Sequence, residues 1–276
     1  GSVPAILSTR RIETRSDRLV TIAVLPMMSC AGRLPIYMMF VSALFPSRLQ
    51  APVLFGIYAS GVLLALCCAR LLKNTLFKAP QRDSLHHMKR LRLPSLRKVG
   101  ILMWSRAFMY VRKAGTFILG ASIILWFLNT YPRPEEDTAP TNAAAMEHSY
   151  AGQIGHWMEP VTQVAGFDWK INSALVGAFA AKEIFVTQMG ILYAVEDGNS
   201  VPAAQQTLNA RLKASYTPLQ GISIMIFCLI ALPCIGTVTV AKREAGTWWF
   251  ALAQFGGLTL LGFATATLIY QAGLLL

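Results

Sequence analysis

Leu25-Pro26-Met27-Met28-Ser29-Cys30-Ala31-Gly32-Arg33-Leu34-Pro35 sets two prolines, a thiol, two thioethers and an arginine inside an otherwise apolar stretch. Proline has no amide N–H and its ring collides with the carbonyl four residues back, so this run frees backbone oxygens close to Cys30. Within a membrane such groups persist only when buried in protein or lining a cavity. Sulfur from Cys30, and from Met27 or Met28, suits Fe(II), Cu(I) or Zn(II) and ill suits Mg(II) or Ca(II). A packing kink around an inert buried thiol accounts for the same residues without any chemistry. The pattern returns at Leu232-Pro233-Cys234-Ile235-Gly236-Thr237. Two interrupted segments in the two halves of a transporter are the sequence mark of a site at mid-membrane. Pro26, Pro35, Pro233 and Gly236 are therefore the candidate gate backbone, with Cys30 and Cys234 as its sulfur contacts.

A third feature is Ala180-Ala181-Lys182-Glu183, which puts adjacent opposite charges in the middle of the apolar residues 171–193. Either charge at the centre of a bilayer costs roughly 3 kcal/mol on insertion scales, so both need partners or water. Glu183 offers oxygen to a divalent cation or carries a proton, and Lys182 neutralises it, or another acid, when the cation is absent. A structural ion pair between helices is the alternative. Neighbours along a helix do not face each other, so Lys182 and Glu183 are expected to find partners on different elements. Arg33 is the remaining intramembrane charge. Asp168, in Gly166-Phe167-Asp168-Trp169-Lys170, reads as a helix cap and Trp169 as an interfacial anchor. Cys67, Cys68 and Cys228 read as small residues of apolar helices, and His86 and His87 as part of a solvated basic loop.

The elements that must position these residues follow from composition. The chain has 276 residues, 54% hydrophobic and 14% charged, with formal net charge +12, and its mean hydropathy is +0.48. These values exclude a disordered, collagen-like or ordinary soluble chain and identify a membrane protein. Six apolar stretches approach the roughly 20 residues that a spanning helix needs, at 21–46, 51–73, 115–131, 171–193, 218–241 and 247–276. Residues 96–112 read as an amphipathic lead-in to the third. The expected fold is an all-α, polytopic transmembrane helix bundle with two proline-broken gate segments. Residues 1–73 would hold a partial first gate segment and two spans, and 74–114 a basic cytoplasmic loop with an amphipathic helix. Residues 115–193 would hold two spans joined by an acidic external loop, 194–217 a cytoplasmic loop, and 218–276 the second gate segment and a final span.

Eleven Lys/Arg against Asp83 in 73–113, and five acids against Arg133 in 131–165, orient the first three spans with 73–113 and the N-terminus in the cytoplasm. The rule then fails, because complete fourth and fifth spans would put Lys242 and Arg243 outside. One segment is therefore expected to be broken or re-entrant, and Pro233 with Gly236 favours the fifth. No phosphate-binding loop and no dinucleotide fingerprint occurs, so neither an enzyme acting on nucleotides nor nucleic-acid binding is expected.

Taken together, Val3-Pro4-Ala5, Thr9-Arg10, Arg18-Leu19, Pro26-Met27-Met28-Ser29-Cys30, Arg33-Leu34-Pro35, Gly166-Phe167-Asp168-Trp169, Ala181-Lys182-Glu183, Pro233-Cys234 and Arg243-Glu244-x-Gly246-x-Trp248 resemble the membrane part of the ferrous iron transport protein B family, across nearly the whole chain. The resemblance implies the permeation portion of a bacterial ferrous iron importer in the inner membrane, with Fe(II) as the transported ion, Cys30 in a first gate and Cys234 in a second. It also implies partners: the lipid bilayer, an N-terminal GTPase domain of the full-length protein, small cytoplasmic accessory proteins and a second copy in a homo-oligomer. The family has Gly-Cys-Asn before Val-Pro where this chain has Gly1-Ser2, so the further gate cysteine that the resemblance implies has no counterpart here. The GTPase domain is expected to lie outside this chain, which then binds no GTP. Two other functions stay open on the residues. A secondary transporter of an organic solute such as a nucleoside would gather aromatic and amide side chains around Glu183. A non-transporting membrane scaffold would hold Cys30 and Cys234 far apart.

Overall fold

The computed structural model describes residues 2–75, 95–132, 147–193, 201–231 and 233–275. The basic loop around His86 and His87, most of the acidic loop, Gly1, residues 194–200 and Leu232 lie outside the described residues. All regular structure among the described residues is helical.

The first apolar stretch is interrupted where its prolines require. A short α1 (Ser2–Ser8) leads through a 3-10 turn at Thr9–Arg11 into α2 (Arg15–Val24). Pro26 sits in the 3-10 turn Leu25–Met27 that ends α2, residues 28–30 are not helical, and a second turn at Ala31–Arg33 leads into α3 (Leu34–Leu44). Pro35, expected among the gate-breaking residues, lies in the first turn of α3, where its missing N–H has no helical partner to lose, so it starts a helix and breaks none. The 29-residue α4 (Ser47–Thr75) returns, and Lys73 Nζ at its end meets Asp17 Oδ1 at the start of α2, 3.0 Å away. The amphipathic lead-in and the third stretch form one helix of 35 residues, α5 (Leu96–Thr130).

The fourth stretch is built differently from the single span expected. After α6 (Tyr150–Thr162) the chain turns at Gly166, whose φ of +81° is left-handed, into α7 (Trp169–Ala180). Asp168 caps α7, accepting the Ile171 N–H at 2.9 Å. At Ala181 the backbone is extended (φ −150°, ψ 133°), and α8 (Lys182–Tyr193) runs back along α7. Ile184 faces Gly177, and Gln188 Nε2 donates to Ser173 Oγ at 3.4 Å. A helix of 12 residues rises about 18 Å, well short of the ~30 Å hydrocarbon core, so residues 171–193 form a re-entrant hairpin.

The hairpin reverses the topology of everything after it. Tyr216 Oη donates to Asp168 Oδ2 at 2.9 Å and Gln220 Nε2 to the Gly166 carbonyl at 3.3 Å. Residues 201–217, which include α9 (Val201–Ser215), therefore lie at the end where the hairpin opens, opposite the N-terminal segment, whereas the linear count puts them on the same side as it. Burial there pushes the Asp168 carboxyl above the usual carboxylate range, against the Ile171 N–H, the Tyr216 hydroxyl and Lys170. α10 (Pro218–Ile230) and α11 (Ile235–Ala245) then cross to the opposite end, where Glu244 meets Arg10. α12 (Trp248–Leu275) returns, bringing Gln271 to the Val164 carbonyl. Lys242 and Arg243 thus share the basic end with Arg10, Arg18 and Lys73, and the charge bias that a linear count of spans violates is restored. Four described segments are long and apolar enough to cross a membrane: Arg15–Leu44, Ser47–Thr75, Pro218–Ala245 and Trp248–Leu275.

Close backbone approach holds α6 against α7, since a Cβ on Gly155 would stand 2.5 Å from the Trp169 carbonyl oxygen. Because the obstacle is backbone, Gly155→Ala is expected to lower stability by about 1–3 kcal/mol, read as a lower midpoint of thermal unfolding in detergent.

Candidate functional site

Three interruptions of helix meet inside the bundle: residues 28–30, the hairpin tip at Ala181, and the gap between α10 and α11. Lys182 opens α8 and is only 6% exposed; its Nζ donates to the Cys228 carbonyl at 3.0 Å and the Ala231 carbonyl at 3.2 Å. These oxygens end α10, just before Pro233. Arg33, Cys228, Cys30 and Cys234 all lie within electrostatic reach of that ammonium. Glu183 turns the other way: its carboxylate lies against Gly32, where a Cβ would stand 2.8 Å from Oε1. The two adjacent charges thus serve different elements, α10 and the first break.

Cys30 is half-buried in extended backbone (φ −102°, ψ 164°), and its carbonyl accepts the Arg33 N–H at 3.1 Å. Cys234 stands at the head of α11 with its Sγ 3.1 Å from Thr237 Oγ1. Both thiols are free. The methyl of Val3, at the start of α1, comes up to Gly236 in the first turn of α11. Met27 and Met28 part company, Met27 buried in the apolar core and Met28 exposed. Pro26 and Pro233 are buried at their breaks. Arg33 is 2% exposed and donates from Nη1 to the Met28 carbonyl at 3.2 Å. Among the described residues, no three His, Cys, Asp or Glu side chains lie close enough together to enclose a metal ion. What the fold gathers is two thiols, one carboxylate, freed carbonyls and two buried cations.

Two further side chains were not anticipated from the sequence. Gln254 of α12 donates from Nε2 to the Ile22 carbonyl at 2.7 Å and the Ala23 carbonyl at 3.3 Å. Ile22 precedes Pro26 by four residues, so Gln254 supplies the donor that the proline lacks. Its only signal was its place as one of two amides, with Gln271, in the last apolar stretch. Glu244, whose side chain is 3% exposed, accepts from Arg10 Nε at Oε2 (2.9 Å) and from Nη2 at Oε1 (2.5 Å), with Arg18 Nη2 3.6 Å from Oε2. This clamp ties α1 and α2 to the end of α11, although its partners are 234 residues apart. Glu244→Gln keeps the shape and removes the charge. Because Arg10 is 54% exposed and screened by water, the expected loss is modest, about 1–2 kcal/mol. The gap from the unmodified protein in thermal unfolding should narrow as salt is raised.

Residues 111–248, half of the chain, match the family described as Gate, nucleoside recognition. Residues 54–106 match the C terminus of ferrous iron transport protein B. The chain is 36% identical to the Fe(2+) transporter FeoB of Campylobacter jejuni, over 92% of this chain and 41% of that protein. It is 35% identical to the Fe(2+) transporter FeoB of Methanocaldococcus jannaschii, over 100% of this chain and 40% of that protein. A Porphyromonas gingivalis Fe(2+) transport protein A/Fe(2+) transporter FeoB fusion protein is 35% identical over 99% of this chain and 36% of its own length. The chain therefore spans less than half the length of these curated relatives. No solved structure matches it. Its match to both families, and to these relatives along nearly all of its length, means that the chain belongs to the ferrous iron transport protein B family and corresponds to the C-terminal membrane part of its members.

Proposed function

We propose that this chain forms the membrane path of a ferrous iron importer in the bacterial inner membrane, and that Fe(II) crosses where the three helix breaks meet. The observation that carries this reading is the meeting of the three breaks at the hairpin tip, where Lys182 holds the Cys228 and Ala231 carbonyls and the Glu183 carboxylate lies against Gly32. The ion is taken from the names of the relatives. At the breaks, sulfur from Cys30 and Cys234 and freed carbonyl oxygens replace part of the water shell of Fe(II). Glu183 supplies negative charge at a depth where the bilayer offers none. Lys182 holds the α10 carbonyls when no metal does. Met28 is the exposed thioether at the first break, whereas Met27 belongs to the core. A conducting site must also release its ion, which a partial, mixed set of ligands permits better than a closed cage.

The chain's own part is permeation, and the drive comes from the remaining length of the full protein, where we expect the GTPase domain. The fusion protein of Porphyromonas gingivalis joins Fe(2+) transport protein A to a transporter, and a protein of that kind is the accessory partner we expect at the basic end. An organic solute would call for aromatic and amide side chains around Glu183. Gly32 faces it instead, and the amides of Asn129 and Gln188 bond each other at 2.9 Å.

The test is anaerobic uptake of radiolabelled Fe(II) by bacterial cells without their own ferrous transporter, using the full-length parent at matched membrane expression. Cys30→Ser, Cys234→Ser and Glu183→Gln are each expected to lower uptake by about tenfold or more, the loss of one good contact. Gly32→Ala is expected to reproduce the Glu183→Gln defect with folding intact, because the atom its Cβ meets is the mobile end of a side chain. Full uptake by all of these variants overturns the site, and no iron uptake by the parent overturns the ion.

A further inference from the structure

Arg33 and Lys182 are both buried at the depth of the breaks, each within electrostatic reach of the other. Their hydrogen bonds go to backbone carbonyls, and among the described residues neither has a carboxylate within ion-pair distance. The other described acids stand at the two ends of the bundle: Glu13, Asp17 and Glu244 at the basic end, Glu147, Glu159 and Asp168 at the opposite one. Glu183, against Gly32, is the one acid at this depth. Arg33, whose guanidinium stays protonated, thus carries a positive charge with no carboxylate partner where charge is most costly.

Beside Arg33, three buried polar atoms have no protein partner: Ser29 Oγ, Arg33 Nε and Tyr37 Oη. Positions 33 and 37 are one helical turn apart at the start of α3, and Ser29 lies in the non-helical backbone just before the turn that leads into it. Tyr37 is 0% exposed, and its polar neighbours are the Arg33 guanidinium and the Ser29 hydroxyl, the latter close enough to interact with Oη although no hydrogen bond of normal geometry closes between them. All three atoms can donate, and the guanidinium can do nothing else. A metal cation is repelled by such a set. A water molecule would satisfy the hydroxyls but leave the charge uncompensated.

We propose that Ser29, Arg33 and Tyr37 form a buried binding site for a small monovalent inorganic anion, chloride in the cell, beside the first helix break. The anion accepts the Arg33 Nε–H and the two hydroxyl protons and compensates the charge of the guanidinium. It lowers the repulsion that a divalent cation would otherwise meet at this depth, and it binds whether or not iron passes.

The test is thermal unfolding of the purified chain in detergent, in metal-free buffer, with sodium chloride replaced by sodium gluconate at constant ionic strength. The unfolding midpoint is expected to rise saturably with chloride, and bromide is expected to substitute. Arg33→Gln should abolish the chloride-specific rise. Tyr37→Phe, which keeps the volume and removes one donor to a charged partner, should raise the half-saturating chloride concentration about tenfold. If Arg33→Gln does not fold, Tyr37→Phe and Ser29→Ala decide the matter. A midpoint independent of the anion, as a water-filled pocket would give, overturns the proposal. So does an identical chloride response in the folded variants, which would mark a general salt effect.

Discussion

A backbone carbonyl that loses its helical donor inside a membrane has no water to turn to, and the rest of this structure is arranged around that constraint. Pro26 ends α2 and withdraws the donor owed to Ile22, and Gln254 of α12 provides another. The gap before Pro233 leaves the Cys228 and Ala231 carbonyls at the end of α10, and Lys182 takes both. Each break is therefore held by a side chain from a distant element. The hairpin tip has to lie where it does because only there does its lysine reach α10. A close approach from α12 finishes the arrangement, since Gly262 lies directly against Ala231 and a Cβ there would be 2.8 Å from the alanine's own.

The same economy gives the site its unusual charge. Fixing freed carbonyls with Lys182 puts an ammonium at the centre of a proposed cation path, and Arg33 adds a guanidinium on the Met28 carbonyl. Both tie down oxygens that would otherwise be free to meet a metal. A passing cation competes with these tethered positive charges for the same oxygens, which favours weak binding and ready release. On the proposed path, Glu183 and the thiols of Cys30 and Cys234 would work against that repulsion.

At the basic end the ion pairs fix which half-helices move together. Glu244 binds Arg10 and lies near Arg18, and Asp17 binds Lys73. The half-helix that begins at Cys234 is thus fastened at its far end to the segment that leads into Cys30. The clamp and the break at Cys234 are joined by one unbroken helix, α11, so the segment that leads into Cys30 and the second break are linked through it.

The sequence by itself determined the all-α membrane class, the breaks at Pro26 and Pro233, and the cap at Asp168. Each of these is local: a proline lacks its N–H in any surroundings, and an aspartate before an apolar helix caps it with its own side chain. Lys182 and Glu183 also announced themselves, since charge at mid-stretch is costly wherever it is placed. Only the tertiary structure decided that residues 171–193 reverse at Ala181, because two half-helices and one span bury the same side chains and no proline or glycine marks the turn. It alone separated Met27 from Met28, turned Pro35 from a breaker into a helix start, and assigned Lys182 to α10 and Glu183 to the first break. Those outcomes rest on which surface another part of the chain covers, and hydropathy and spacing measure the transfer of a residue from water, not the neighbour it meets when it arrives.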